Sequence, residues 1–360
     1  MLTLETRRCT WVALLAAVAA GFWFGGAADA VPIAGFEVSP HFGEQVRTYA
    51  FEPDVRVHIN APAVNAFAPK KPTRLVIYAL PNGNTIDQTV GCRMVEGLDW
   101  HYDIQHIGAQ TRYLRAAIPD ANIVTAYVEA GGRSWPTWRR THADSGALIA
   151  KLIDSLRSQF APSKVTVELA AHSGGGSLIF GFLNHVEVIP GWVGRILFLD
   201  ANYGYSDEER HGDKLIAWLR ASPEHYLGVV AYDDRNVRFN GKLIVGPTGG
   251  TYRKTGKMLD RLLKDMPLVE KGTASYERLR SVDGQVDVVR LHNPQNKILH
   301  TVLVEKNGFI HGLTFGAPHD GKVAVFFGAR AYEEWIQPAP APQPPATTAR
   351  DTSERQGGGR

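Results

Sequence analysis

The sequence predicts an α/β domain with a mainly parallel central sheet flanked by helices, on three observations. Short apolar runs alternate with patterns of helical period, and several of those runs are apolar on consecutive residues rather than alternate ones. One of them, residues 165–171, ends in a serine–glycine bend and continues as a helix. A chain of 360 residues is long enough for one large core of this kind, and no internal repeat or second core is visible.

In chain order, Val55–Ile59 is the first clear strand, and Arg74–Leu80, reached through a Pro- and Ala-rich loop, is nearly all apolar. That is the pattern of a strand covered on both faces. Ile123–Val128 is strand-like. Asp144-Ser145 then opens a helix whose apolar positions Leu148, Ile149, Leu152, Ile153, Leu156 and Phe160 recur three and four residues apart, and Ala161-Pro162-Ser163 stops it. The strand before the bend follows, with Thr166 and Glu168 more polar than a buried strand calls for, and Ser177–Leu183 is the helix after it. Strands are expected at Arg195–Leu199, Leu227–Tyr232 and His300–Val304, with a helix at Lys214–Leu219. Residues 203–225 and 240–273 are long connections that could partly cover a site at the strand ends.

Both ends of the chain differ from this domain, which is assigned to 31–337. Residues 1–30 have the layout of a secretory signal peptide: Arg7-Arg8, an uncharged apolar run, and Ala28-Asp29-Ala30 before an expected cut ahead of Val31. The protein is therefore expected to be secreted or periplasmic, with no stable membrane span after cleavage. Cys92 would then be the one remaining cysteine, so no internal disulfide forms. Residues 338–360, rich in Pro and then in Thr, Arg, Ser and Gly, are expected to be a disordered tail. The formal charge of +3 is small and dispersed, which supplies no nucleic-acid footprint.

The bend reads Ala171-His172-Ser173-Gly174-Gly175-Gly176. A serine hydroxyl is a weak nucleophile, so it must stand at a sharp corner where a base takes its proton and backbone N–H groups meet the oxyanion. Small residues two before and two after the serine allow that corner, here Ala171 and Gly175 in place of the usual G-x-S-x-G. A phosphate loop has little support, because Phe182 follows Gly181 where a P-loop has Lys-Ser/Thr, and the glycines do not form G-x-G-x-x-G.

On these residues the chain resembles the α/β-hydrolase superfamily from about Arg74 to about Phe327, as a superfamily and not as one member. The resemblance implies a nucleophile, acid and histidine in that chain order. Ser173 is the expected nucleophile. The base is expected to be His311 in Gly308–Gly312, after the strand expected at His300–Val304; His300 is the first reserve, with His292 and His319 behind it. Asp200, closing the next strand after the bend, is preferred as the acid, and Asp233 or Asp234 is the alternative. The oxyanion hole would take the N–H of Gly174 and a second amide near Gly83 or Asn84.

No metal or other cofactor is implied. His101 and His106 stand five apart and would not share a helix face. Gly131–Arg140, after the Ile123–Val128 strand, is a loop whose aromatics and arginines could grip a sugar, an aryl group or an anion. The function expected is an exported serine hydrolase that cleaves an ester, with amide bonds less well provided for, acting on a small-molecule or acylated substrate. The alternative is a ligand-binding protein that keeps the scaffold without turnover.

Overall fold

The computed structural model describes residues 32–161, 163–316 and 318–340, so the leader expected at 1–30 and residues 341–360 of the expected tail lie outside the described residues. The first half contains β1 (Glu37–Val38), β2 (Glu44–Phe51), β3 (Val55–Ala63), β4 (Thr73–Ala79), α1 (Ile86–Val90), α2 (Ile107–Ala117), β5 (Asn122–Ala130), α3 (Trp135–Thr141), α4 (Ser145–Ser158) and β6 (Val165–His172). The second half contains α5 (Gly176–His185), β7 (Val193–Leu199), α6 (His211–Ala221), β8 (Tyr226–Tyr232), the hairpin β9 (Arg238–Phe239) and β10 (Lys242–Leu243), α7 (Thr251–Leu262), β11 (Leu268–Glu270), β12 (Tyr276–Ser281), β13 (Val286–Leu291) and α8 (Phe309–Thr314).

One sheet of 11 strands has the order β1-β2-β3-β5-β4-β6-β7-β8-β13-β12-β11. Its centre, from β5 to β13, is parallel, and its two flanks are antiparallel. Side chains alternate across the sheet, so Leu75, Ile77 and Ala79 of β4 join one core while Val76, Tyr78 and Leu80 join the other. Helices α3 to α7 cover the first face and α2 and α8 the second. Burial on both sides is why this strand reads as a continuous apolar run.

The chain leaves β4 for β5 on one side and resumes at β6 on the other. Loops that follow β4 and β6 therefore diverge, which opens a crevice beyond the carboxyl ends of those strands. The bend at Ser173 lies on that crevice.

The polar residues of β6 have a structural purpose at its other end. Glu168 is buried and takes two hydrogen bonds from Arg74, at 2.6 and 3.0 Å. Arg74 also donates to the carbonyl of Leu313, and Arg195 donates to those of Gly312 and Phe315. These guanidinium groups satisfy carbonyls that the end of α8 leaves without helical partners, and so fasten α8 to the sheet.

Two parts of the sequence-based layout need correction. Residues His300–Val304 are not a strand: the amides of Leu303 and Glu305 bond back to the carbonyls of Leu299 and Thr301, and a widened turn at Val304–Gly308 leads into α8. The last strand at the parallel centre is instead β13, in a stretch where no strand was expected, and α7 and β11 lie within the long connection 240–273. Among the described residues no helix is long and apolar enough to cross a membrane.

Candidate active site

Ser173 follows β6 directly and has φ +54°, a left-handed conformation that costs a non-glycine residue about 1–2 kcal/mol. Close backbone approach fixes the corner. A Cβ on Gly175 would stand 2.1 Å from the carbonyl oxygen of Ala79, and one on Gly176 would stand 1.7 Å from that of Ala201, so only glycine fits between β6, β4 and the end of β7. Ser173 is half-buried and opens onto a cavity of about 460 Å³, lined among others by Asn82, Gly174, Ser177, Arg139 and Tyr203.

β7 pairs beside β6 with Leu199 opposite His172, so Asp200 and Ser173 leave neighbouring strands at the same level. Asp200 is fully buried, and both of its oxygens are engaged. One accepts from the hydroxyl of Thr251 at the start of α7, and the other accepts from Nδ1 of His300 at 2.5 Å. Because a carboxylate can only accept, this bond requires a proton on Nδ1 of His300, and in the neutral ring Nε2 is then the lone-pair acceptor. The hydrogen-bonded chain thus runs Thr251–Asp200–His300 and ends at the imidazole.

His172 holds the His300 segment against the bend. Its Nε2 donates to the His300 carbonyl at 3.0 Å, and the two rings lie 4.5 Å apart. Burial, and then the neighbouring His300, hold His172 well below the usual histidine range, so it stays neutral and cannot act as a second cation. This role is not legible in the sequence, since the residue between Ala171 and Ser173 has no required identity in the bend.

No protein-family model and no curated protein matches the chain. Solved structures similar to it include a thermostable esterase, 12% identical over 73% of this chain and 56% of that one, with a TM-score of 0.40. Two others are a cold-adapted esterase from an Arctic intertidal metagenomic library (12% identical, 72% and 88% covered, TM-score 0.36) and an acetyl xylan esterase from Aspergillus awamori (12%, 69% and 92%, 0.38). All three are described as esterases. The chain spans a little over half the length of the thermostable esterase.

His311, the base expected from the sequence, is brought elsewhere. It lies on α8 with its Nε2 3.0 Å from Asp287 of β13 and its ring 4.8 Å from Phe326. Three strand spacings separate β13 from β6, about 14 Å, so this imidazole belongs to a different cluster from the bend. The reason is the misplaced strand: with β13 as the last parallel strand, the loop that follows it delivers His300 instead. His292 is exposed with its ring on the carbonyl of Ala274, and His319 lies 4.0 Å from Asp120. Asp233 pairs with exposed Arg235 at 2.7 Å and does not join His300.

Of the expected oxyanion residues, Gly174 lines the cavity, but the Gly83 amide is spent on the carbonyl of Arg133 at 2.9 Å. Asn84 is buried with its side-chain nitrogen unpartnered. Asn82 is the member of that loop that reaches the bend: its carboxamide lies so close over Gly174 that a Cβ there would be 2.1 Å away. The rings of His101 and His106 are taken by Asp99 and Asp103, and no group of three potential metal ligands occurs among the described residues.

Asp234 lies beneath this chain of bonds. It accepts from the Thr251 amide at 2.9 Å while its other oxygen is buried without a partner. Burial, and then the charge of Asp200, raise it from 3.8 to about 6. A raised carboxyl favours folding while protonated, so its contribution is complete below about pH 3.8 and is lost as pH rises through about 6, amounting to about 3 kcal/mol. Urea unfolding from pH 4 to 8 checks this. Asp234→Asn should flatten the fall in stability across that window, and parallel profiles for the two proteins would contradict the assignment.

Proposed function

We propose that the chain is a serine hydrolase that cleaves an ester. Ser173 Oγ attacks the carbonyl carbon while Nε2 of His300 takes its proton, and Asp200 holds the imidazole in the required tautomer and stabilises the imidazolium. The oxyanion is met by the Gly174 N–H and the Asn82 carboxamide. His300 then returns the proton to the departing alkoxide, which leaves as the alcohol, and an acyl-enzyme remains. Water repeats the sequence with His300 as base, releasing the acid and restoring Ser173.

The observation that carries this reading is a strained serine corner opening on a cavity, with the Thr251–Asp200–His300 chain anchored beside it through His172. Export belongs to the same proposal and rests on the leader-like pattern of residues 1–30. The test is covalent labelling by a fluorophosphonate. The native protein should label at one site and Ser173→Ala should not; labelling that persists in the variant, or fails in the native protein, overturns the proposal.

A further inference from the structure

Arg139 sits on the last turn of α3, and its side chain lies across α5. Gly181 makes the space, since a Cβ there would be 2.8 Å from Arg139 Nε. The Nη1 group donates to the carbonyl and hydroxyl of Ser177, at 3.1 and 3.3 Å. Ser177 stands four residues beyond Ser173, about 6 Å along a helix axis, and all three residues line the same cavity. The aromatic residues of the same segment do not compete for that role, because Trp135 and Trp138 are buried in the core.

The guanidinium has no carboxylate at ion-pair distance among the described residues, and its Nε is buried without a hydrogen-bond partner. The charge of Glu209 acts on it from a distance without pairing with it. On the same flank Lys254 and Lys214 point their ammonium groups at the carbonyls of Tyr205 and Leu183, which adds positive potential. A partly desolvated cation without a counter-charge is costly to keep, and a planar guanidinium is suited to bidentate carboxylate binding.

We propose that Arg139 makes the cavity selective for esters that carry a carboxylate on the acyl chain, about one helical turn from the scissile carbonyl. This rests on the serine-hydrolase reading above. Arg139 is a specificity residue here, since it binds the remote end of the substrate and takes no part in proton transfer.

Hydrolysis of monomethyl glutarate against methyl pentanoate, followed by methanol release, gives the ratio of kcat/KM for the charged and neutral esters. The native protein should favour the charged ester by about 10-fold or more, the worth of a charge-assisted hydrogen bond. In Arg139→Gln the ratio should fall below one, and Arg139→Lys should keep part of the preference. Free glutarate should also slow fluorophosphonate labelling of the native protein and not of Arg139→Gln. A ratio unchanged by Arg139→Gln, or glutarate protection equal in both proteins, overturns the proposal. Absence of labelling in the native protein would instead overturn the nucleophile assignment, so the two failures are distinguishable.

Discussion

His300→Ala is expected to lower kcat/KM by about 10,000-fold or more, since removing the base costs at least as much as misplacing its proton, and exogenous imidazole should restore part of the loss. His311→Ala should behave in the opposite way. Its ring donates to Asp287, which is 2% exposed and also bonded by Arg278 at 2.8 and 2.6 Å. Burial alone would raise that carboxyl, but the bonds from His311 and Arg278 hold it down at about 2. Removing one partner of a buried ionic cluster costs about 3 kcal/mol, so the melting temperature should fall by roughly 5–10 °C while the folded protein keeps the proposed turnover. The contribution of Asp287 is complete above about pH 3.8 and is lost as pH falls toward 2, so the acid unfolding of His311→Ala should lack part of this slope. Comparing kcat of the folded fraction with thermal midpoints for the two variants decides the matter. Equal turnover in His300→Ala and the native protein would remove His300 from the mechanism.

The contrast between the two histidines also shows what the sequence could and could not reveal. Strands β4, β6, β7 and β8 are legible because burial on both faces demands consecutive apolar residues, and the bend is legible because three glycines have few other uses after such a strand. β12 and β13 hide their pattern behind Arg278, Arg280, Asp287 and Arg290, whose charges are satisfied by ion pairs that only the folded chain supplies. The run His300–Val304 has the local composition of a strand. Tertiary contacts override it: Leu303 and Val304 are buried against the second face of the sheet, and the Gln110 side chain bonds the Val304 carbonyl. A strand expected there makes the loop after it point to His311. Asp200 and Asp233 each close a strand, so the sequence leaves the choice between them open; in the folded chain Asp200 meets His300 while Asp233 pairs with Arg235. Asn82 could not be separated from Gly83 and Asn84 by sequence, because the choice depends on how the turn spends the Gly83 amide.

Asp200→Asn is expected to lower kcat by about 10,000-fold with little change in KM. The asparagine fits the same space, but its amide would face either the Thr251 hydroxyl or Nδ1 of His300. Thr251 can turn its hydroxyl to donate or accept, so it exerts little control over the choice. With the amide nitrogen toward His300, the imidazole proton moves to Nε2, and the ring can no longer accept from Ser173. Asp233→Asn is the matched control: its carboxylate is bound by exposed Arg235, a surface pair of small energetic weight, so turnover should stay within about twofold. Thr251→Val leaves the carboxylate one donor short and should cost about 10-fold, the scale of one hydrogen bond to a charged group. Asp200→Asn also removes the like charge that helps hold Asp234 near 6, so the pH at which Asp234 loses its proton should move down in the same variant. If Asp233→Asn proved as damaging as Asp200→Asn, the acid would have to be reassigned to the end of β8.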